Sequence, residues 1–279
     1  MTTDGIRRYV RFTSPSAEGR TAYGLREGDT IRELEGDLFA NPRPTGRMFP
    51  LSQVRLELPV DPARVQKVIG VTGNFARPGQ PRRKIPHPRL FAKFATGLIP
   101  TGADIECMPE CHHIHHEGEM VAVIGKQGRF LTVEQAPDYV FGVAVGNDVA
   151  DGGWYSETEG LQTPSRLLAK GNDTWCPIGE EIVAGLNYDD LALEIRQNGQ
   201  VASKVRTSEM LSSVAEVVSY LSVYMTLRPG DLIYMGTPNP NPDLREMKTG
   251  DVVEVELEGV GVVRNRVVEM KGGLPLPTP

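Results

Sequence analysis

Four of the chain's five histidines lie between residues 112 and 116, in the run HHIHHEGEM, and two glutamates one residue apart, Glu117 and Glu119, follow at once. The apolar stretch MVAVIG after them is strand-like, and side chains two apart on a strand point to the same face. Two carboxylates on one face repel each other unless a cation lies between them. Oxygen donors of this kind suit a hard divalent cation such as Mg2+ or Mn2+, which usually keeps some of its waters. A third acid is expected from a neighbouring strand. Asp148, at the end of the apolar run VFGVAVGND, supplies it, at a loop position of the kind that often carries function. Glu117, Glu119 and Asp148 are therefore the candidate metal ligands. On spacing alone a second reading stays open, two acids on an exposed edge strand. Cys107, Cys111 and the histidines offer softer donors at short spacing, as zinc sites do. Two cysteines without a second pair make a weak zinc signature, and His112, His113 and His115 are not expected to be primary ligands. His116, adjoining Glu117, is the histidine expected to carry protons beside such a centre.

The elements that must position these residues are mostly strands. Gly (30) and Pro (22) are frequent and the apolar runs are short and rich in Val, Ile and Leu, a pattern of β-structure with many turns. Residues 1–60 alternate strand-like pieces with polar turns, and LPVDPARVQKVIGVTGN leads into a larger unit. The boundary falls near Asp61, which gives a small β-rich domain at 1–62 and a main domain at 63–279. Asn74–Pro88 is basic, rich in proline and without periodicity, so mobility is expected there. TVEQAPDYV is expected to form a short helix between two strands. Asn198-Gly199 between two alternating runs predicts a hairpin, since both turn residues need positive φ. Ser213 and Glu216 form a capping-box pattern, and Val214, Val217, Val218 and Leu221 fall on one helical face before Pro229.

Bulk composition narrows the partners. The chain has 279 residues, 39% hydrophobic and 24% charged, with a formal net charge of −6. An acidic balance disfavours nucleic acid, and no apolar run approaches the ~20 residues that cross a bilayer. MTTDGIRRYVRF lacks the apolar core of a signal peptide, and three cysteines make no disulfide framework. A cytoplasmic location is expected.

Taken in order, HHEGEMVAVIGK, VFGVAVGNDV, LLAKGNDTWCPIGEEIV and LRPGDLIYMGTP, followed by GDVVEVELEGVGVVRNRV, resemble the landmarks of the fumarylacetoacetate hydrolase family over about residues 65–270. The resemblance implies a mostly β (α+β) fold, a β-roll catalytic domain beside the small N-terminal one, and a homodimer. The family carries Mg2+ or Mn2+ on a Glu-x-Glu pair and a later Asp, which match Glu117, Glu119 and Asp148. Its catalytic lysine matches Lys170 within KGNDTWCPIG. Thr237 of the Gly-Thr-Pro turn and Lys93 at the end of PRLFAK match its substrate-binding positions. The expected function is that of a metal-dependent enzyme acting on a small enolisable 2-oxo acid through a metal-held enolate. C–C hydrolysis and isomerisation or decarboxylation are both within the family's range, and a non-catalytic protein that binds a small acid is the alternative. Three stretches depart from the pattern. GNFARPGQ keeps Asn74 and the aromatic Phe75 but lacks the lid histidine, Ala150-Asp151-Gly152-Gly153 replaces a Ser-Ala-Arg-Asp stretch, and NPNP follows Gly-Thr-Pro. His87, between prolines, is the sole histidine of the 74–88 loop. Enolisation is accordingly expected to outpace C–C hydrolysis.

Overall fold

The structure, a computed structural model, describes residues 5–14, 19–77, 79–108, 111, 113–155, 165–238 and 242–272. The N-terminal part forms β1 (Arg7–Thr13), β2 (Thr21–Glu27), β3 (Thr30–Glu35), β4 (Arg43–Pro50) and the short β5 (Arg55–Leu56). Next come β6 (Val68–Thr72), β7 (Arg89–Lys93), β8 (Leu98–Ile99), β9 (Asp104–Cys107) and β10 (Ile114–His115). The centre holds β11 (Gly118–Ile124), β12 (Val140–Asn147), β13 (Ala150–Asp151), α1 (Arg166–Lys170), β14 (Cys176–Pro177) and β15 (Glu181–Ala184). The last part holds β16 (Ala192–Gln197), β17 (Gln200–Arg206), α2 (Val214–Tyr224), β18 (Leu232–Tyr234), β19 (Val252–Leu257) and β20 (Gly261–Glu269).

The main sheet runs β4-β3-β2-β1-β15-β12-β11-β18-β6-β7, with β5 on β1, and a second sheet runs β17-β16-β19-β20-β9. Every residue of β11 is buried. Met120, Ala122 and Ile124 join the core that holds Leu193, Ile195 and Val255 of the second sheet. Val121 and Val123 join the opposite core, with Tyr9, Leu34 and Leu38 of the N-terminal part. A strand covered on both faces reads as an unbroken apolar run, and MVAVIG does. The strands of the first 62 residues extend the main sheet, because β1 pairs antiparallel with β15, Tyr9 opposite Ile182.

Local chemistry accounts for the elements that the sequence predicts. Asn198 (φ 52°) and Gly199 (φ 77°) make the turn between β16 and β17. The capping box of Ser213 and Glu216 starts α2, whose Val214, Val217, Val218 and Leu221 are buried. TVEQAPDYV forms only a 3-10 turn at Ala136–Tyr139, with proline in its first turn. The proline has no N–H to donate and too few residues follow to propagate a helix. Asn74–Pro88, expected to be mobile, has no helix or strand among its described residues but is tied down at several points. The Asn74 side chain donates to the Ser212 and Met235 carbonyls (3.0 and 2.8 Å). Arg82 donates to the Ser208 and Met210 carbonyls (2.9 and 3.0 Å), Lys84 pairs with Glu216, and His87 stacks on Tyr220 at 5.4 Å. Among the described residues no helix is long and apolar enough to cross a membrane.

Candidate active site

The register of two central strands assembles the acids. β11 and β12 pair with Gly118 opposite Asn147. Asp148, one residue on, therefore stands beside Glu117, and its N–H donates to the Glu117 carbonyl at 2.7 Å. Glu119 shares the odd-numbered face of β11 with Val121 and Val123, while Gly118 faces the second sheet. A Cβ on Gly118 would lie 2.6 Å from Ile195 Cγ1 and 2.8 Å from Val255 Cγ1, so the packing leaves room for no side chain between the two glutamates. The result is three carboxylates with ligating oxygens all within 4.8 Å of one another. Among the described residues this is the one such set of three acid, histidine or cysteine donors. The Cys107 thiol donates instead to the Met108 carbonyl at 3.8 Å, and His112 lies outside the described residues.

Two buried lysines brace the acids. Lys170, at the end of α1, sends its ammonium to Glu117 Oε2 and Asp148 Oδ2, both at 2.6 Å. The same nitrogen lies 4.9 Å above the Phe91 ring. Lys93 pairs with Asp148 Oδ1 at 2.5 Å, both side chains 0% exposed, and donates to the Val149 carbonyl at 2.9 Å. Lys93 thus sits behind Asp148, its side chain fully buried. Burial opposes ionisation of Glu117, but the Lys170 charge and the His115 hydrogen bond hold its carboxyl well below the usual carboxylate range. Burial, then the charges of Asp148 and Glu117, push Glu119 well above that range. Glu119 accepts the Gly236 N–H at 2.6 Å but has no ion-pair partner among the described residues. An all-oxygen donor set with one carboxylate left uncompensated fits a hard divalent cation.

The two neighbouring histidines diverge. His115 Nε2 lies 3.0 Å from Glu117 Oε1 and 3.3 Å from Arg245 Nη2, and its Nδ1 lies 3.1 Å from the His113 carbonyl. His116, the proton carrier expected from the sequence, turns the other way and donates from Nε2 to the Leu244 carbonyl at 2.6 Å. Burial lowers its pKa, opposed by that bond. Adjacent residues of an extended chain face opposite sides, and the pairing of β10 with β13 decides which side each takes. Glu117 and Thr237 line a cavity of about 580 Å3, together with Arg77, Arg83, Arg89 and Arg245. These arginines escape the sequence reading. The basic composition of 74–88 was the available signal, and Arg245 carried none. Residues 239–241 of the NPNP stretch lie outside the described residues.

Residues 66–268 match the family described as fumarylacetoacetate (FAA) hydrolase C-terminal, and residues 7–59 match Rv2993c-like, N-terminal. The chain belongs to the fumarylacetoacetate hydrolase family. It is 36% identical to Protein Rv2993c of Mycobacterium tuberculosis, over 86% of this chain and 88% of that protein. It is 33% identical to the mitochondrial oxaloacetate tautomerase FAHD2A of Bos taurus, over 88% of this chain and 78% of that one. The 5-carboxymethyl-2-hydroxymuconate delta-isomerase structure from Mycobacterium smegmatis superposes with a TM-score of 0.82 at 34% identity, covering 94% of this chain and 100% of the other.

Proposed function

We propose that this protein enolises a small 2-oxo acid with a divalent cation, Mg2+ or Mn2+, held by Glu117, Glu119 and Asp148. The convergence of the three carboxylates, one of them without a cationic partner, carries the proposal. When bound, the ion supplies Lewis-acid polarisation of the substrate carbonyl. The chain's own groups do the rest. Lys170 is desolvated and fixed by two carboxylates, so its ammonium holds negative charge developing on a substrate oxygen without reorganising first. Thr237, on the cavity wall, orients the substrate carboxylate. Lys93 keeps Asp148 in place, and His115, in contact with Glu117, is the histidine nearest the acids.

Tautomerisation and isomerisation require proton movement at the carbon beside the carbonyl, whereas C–C hydrolysis also requires a base aimed at water. His87 stacks on Tyr220, and no histidine lines the cavity among the described residues. Enolisation is therefore the faster process, consistent with the tautomerase name of the bovine relative. The test is to strip metal with a chelator, restore Mg2+ or Mn2+, and follow deuterium exchange at C3 of an acylpyruvate and of oxaloacetate by NMR alongside product formation. Exchange is expected to depend on metal and to exceed cleavage by ~10²–10⁴, the usual worth of a placed base. Cleavage that keeps pace with exchange would contradict the proposal, and silence on both with metal bound would favour a non-catalytic acid binder. A homodimer is part of the same proposal, and sedimentation would check it.

A further inference from the structure

A second cavity, of about 790 Å3, opens where the N-terminal strands meet the main body, and it shares no lining residue with the cavity beside the acids. One wall is a face of β1, β2 and β3. Tyr9 stands opposite Leu25, and Leu25 opposite Arg32, and all three line the cavity. Arg7, two residues before Tyr9, lines it too, as same-face spacing on a strand requires. The other wall is Gly125 and Lys126, just after β11, with Pro137, Val140 and Phe141 at the start of β12. The hairpin of β11 and β12 therefore has the carboxylates at one end and this cavity at the other.

Three aromatic rings make its floor. Phe141 meets the Tyr9 ring at 4.8 Å and the Phe39 ring edge-on at 5.1 Å. Phe39 and Phe141 are only partly buried, so each ring keeps an open part. Tyr9 is 7% exposed, yet its hydroxyl has no hydrogen-bond partner among the described residues, whereas a buried tyrosine hydroxyl usually finds one. At the rim Arg32 is engaged by Glu27 in two bonds of 3.1 and 2.9 Å. The Arg7 guanidinium and the Lys126 ammonium have no hydrogen-bond or ion-pair partner among the described residues, and Asp138 is the one other acid in the lining. The cavity thus joins an aromatic base to a rim with cations in excess, in a chain whose net charge is −6.

We propose that this cavity is a second small-molecule site, and that its ligand is a free aromatic carboxylate. Ligand sites are concave, mostly apolar and furnished with a few placed polar groups, in volumes of about 300–1,000 Å3. The ring of the ligand lies against Tyr9, Phe39 and Phe141, where offset or edge-on contact favours a flat aromatic body over a saturated one. Its carboxylate lies between Arg7, whose planar fork matches two oxygens, and Lys126, which adds a point charge. The same ligand gives the Tyr9 hydroxyl an acceptor. The site needs no metal, and it stands or falls independently of the enolisation proposed above.

The test uses the full chain stripped of metal with a chelator. It is titrated calorimetrically with 2-naphthoate, with 2-naphthylmethanol, which lacks the charge, and with decahydro-2-naphthoate, which lacks the aromatic rings. 2-Naphthoate is expected to occupy one site per chain and to bind about tenfold more tightly than the alcohol, the worth of a charge-assisted hydrogen bond, with an advantage that shrinks as salt rises. It is expected to exceed the saturated acid by about three- to tenfold, the worth of an aromatic pair. In Arg7→Gln and in Lys126→Gln, both exposed positions, the ratio of acid to alcohol is expected to fall toward one, with thermal melting confirming the fold. No saturable binding, equal affinity for acid and alcohol, or a ratio that survives both substitutions would overturn the site. Mn2+ with oxalate, directed at the acid cluster, is expected to leave the naphthoate affinity unchanged. Competition between them would put the ligand in the other cavity and overturn the proposal. Tighter binding of 2-naphthyl phosphate than of 2-naphthoate would overturn the carboxylate in favour of a phosphate.

Discussion

Glu117 and Glu119 are two residues apart and titrate in opposite directions, because Lys170 and His115 outweigh burial at the first, whereas burial and the charges of Asp148 and Glu117 outweigh Lys170 at the second. The folded protein without metal therefore holds a proton on Glu119 more tightly than the unfolded chain does. Between the unfolded and the folded pKa the native state binds more protons, so stability falls as pH rises through that window. Glu119→Gln removes the uncompensated charge but keeps an acceptor for Gly236 N–H. The variant is expected to melt higher than the parent at neutral pH when metal is absent, and to lose Mn2+ affinity. A Tm against pH series with and without metal would show both effects, and a lower Tm for metal-free Glu119→Gln would refute the charge account. Lys170→Met removes the ammonium shared by Glu117 and Asp148. It is expected to slow C3 exchange by ~10²–10³, the scale for losing one fixed electrostatic donor. The meeting of Glu117, Glu119 and Asp148 was legible because same-face spacing and the end of an apolar run are local signals. Which of His115 and His116 faces the acids was not, since a two-residue bridge to Ala150 and Asp151 settles it. The burial of Lys93 behind Asp148 was equally hidden, because it depends on strands 56 residues apart.

At the scale of elements, the site depends on how closely β11 approaches the second sheet. Gly118→Ala places a methyl group 2.6 Å from Ile195 Cγ1 and 2.8 Å from Val255 Cγ1, inside a core that has no slack to yield. Overpacking of this kind costs about 1–3 kcal/mol, and denaturant unfolding would measure it. An unchanged midpoint would mean that the sheets separate more readily than their packing suggests. Gly236 (φ 96°) is under a similar constraint, since a Cβ there would lie 2.7 Å from the Asn74 side chain. Its N–H is the group that reaches Glu119. The hairpin at Asn198-Gly199 and the start of α2 could be read in advance, because turn and cap chemistry is written in consecutive residues. The segment from 74 to 88 could be read as irregular but not as anchored. Its restraints come from carbonyls and side chains 126 to 161 residues further along the chain.

Over the whole molecule, the mostly β character follows from composition, but the order of strands does not, because it is set by pairings between distant segments. The placement of β1 against β15 is the clearest case. Glu181 clasps both Arg8 and Arg26, and Tyr9, Leu34 and Leu38 share a core with Val121, Val123 and Tyr234. Removing residues 1–62 is expected to uncover this apolar face and the β15 edge, so a 63–279 fragment should aggregate or bind a hydrophobic dye. A monodisperse fragment that melts cooperatively would contradict that expectation. The same connection has a consequence in time. Arg8 meets Glu181 173 residues further along the chain, so on a ribosome working at roughly 5–20 residues per second the first strand waits on the order of ten to thirty seconds for its partner. During that interval its edge is open to any other nascent chain. Arg7, Arg8 and Arg11 set three charges along that strand, and charged side chains are a general means by which an open edge resists pairing with another chain.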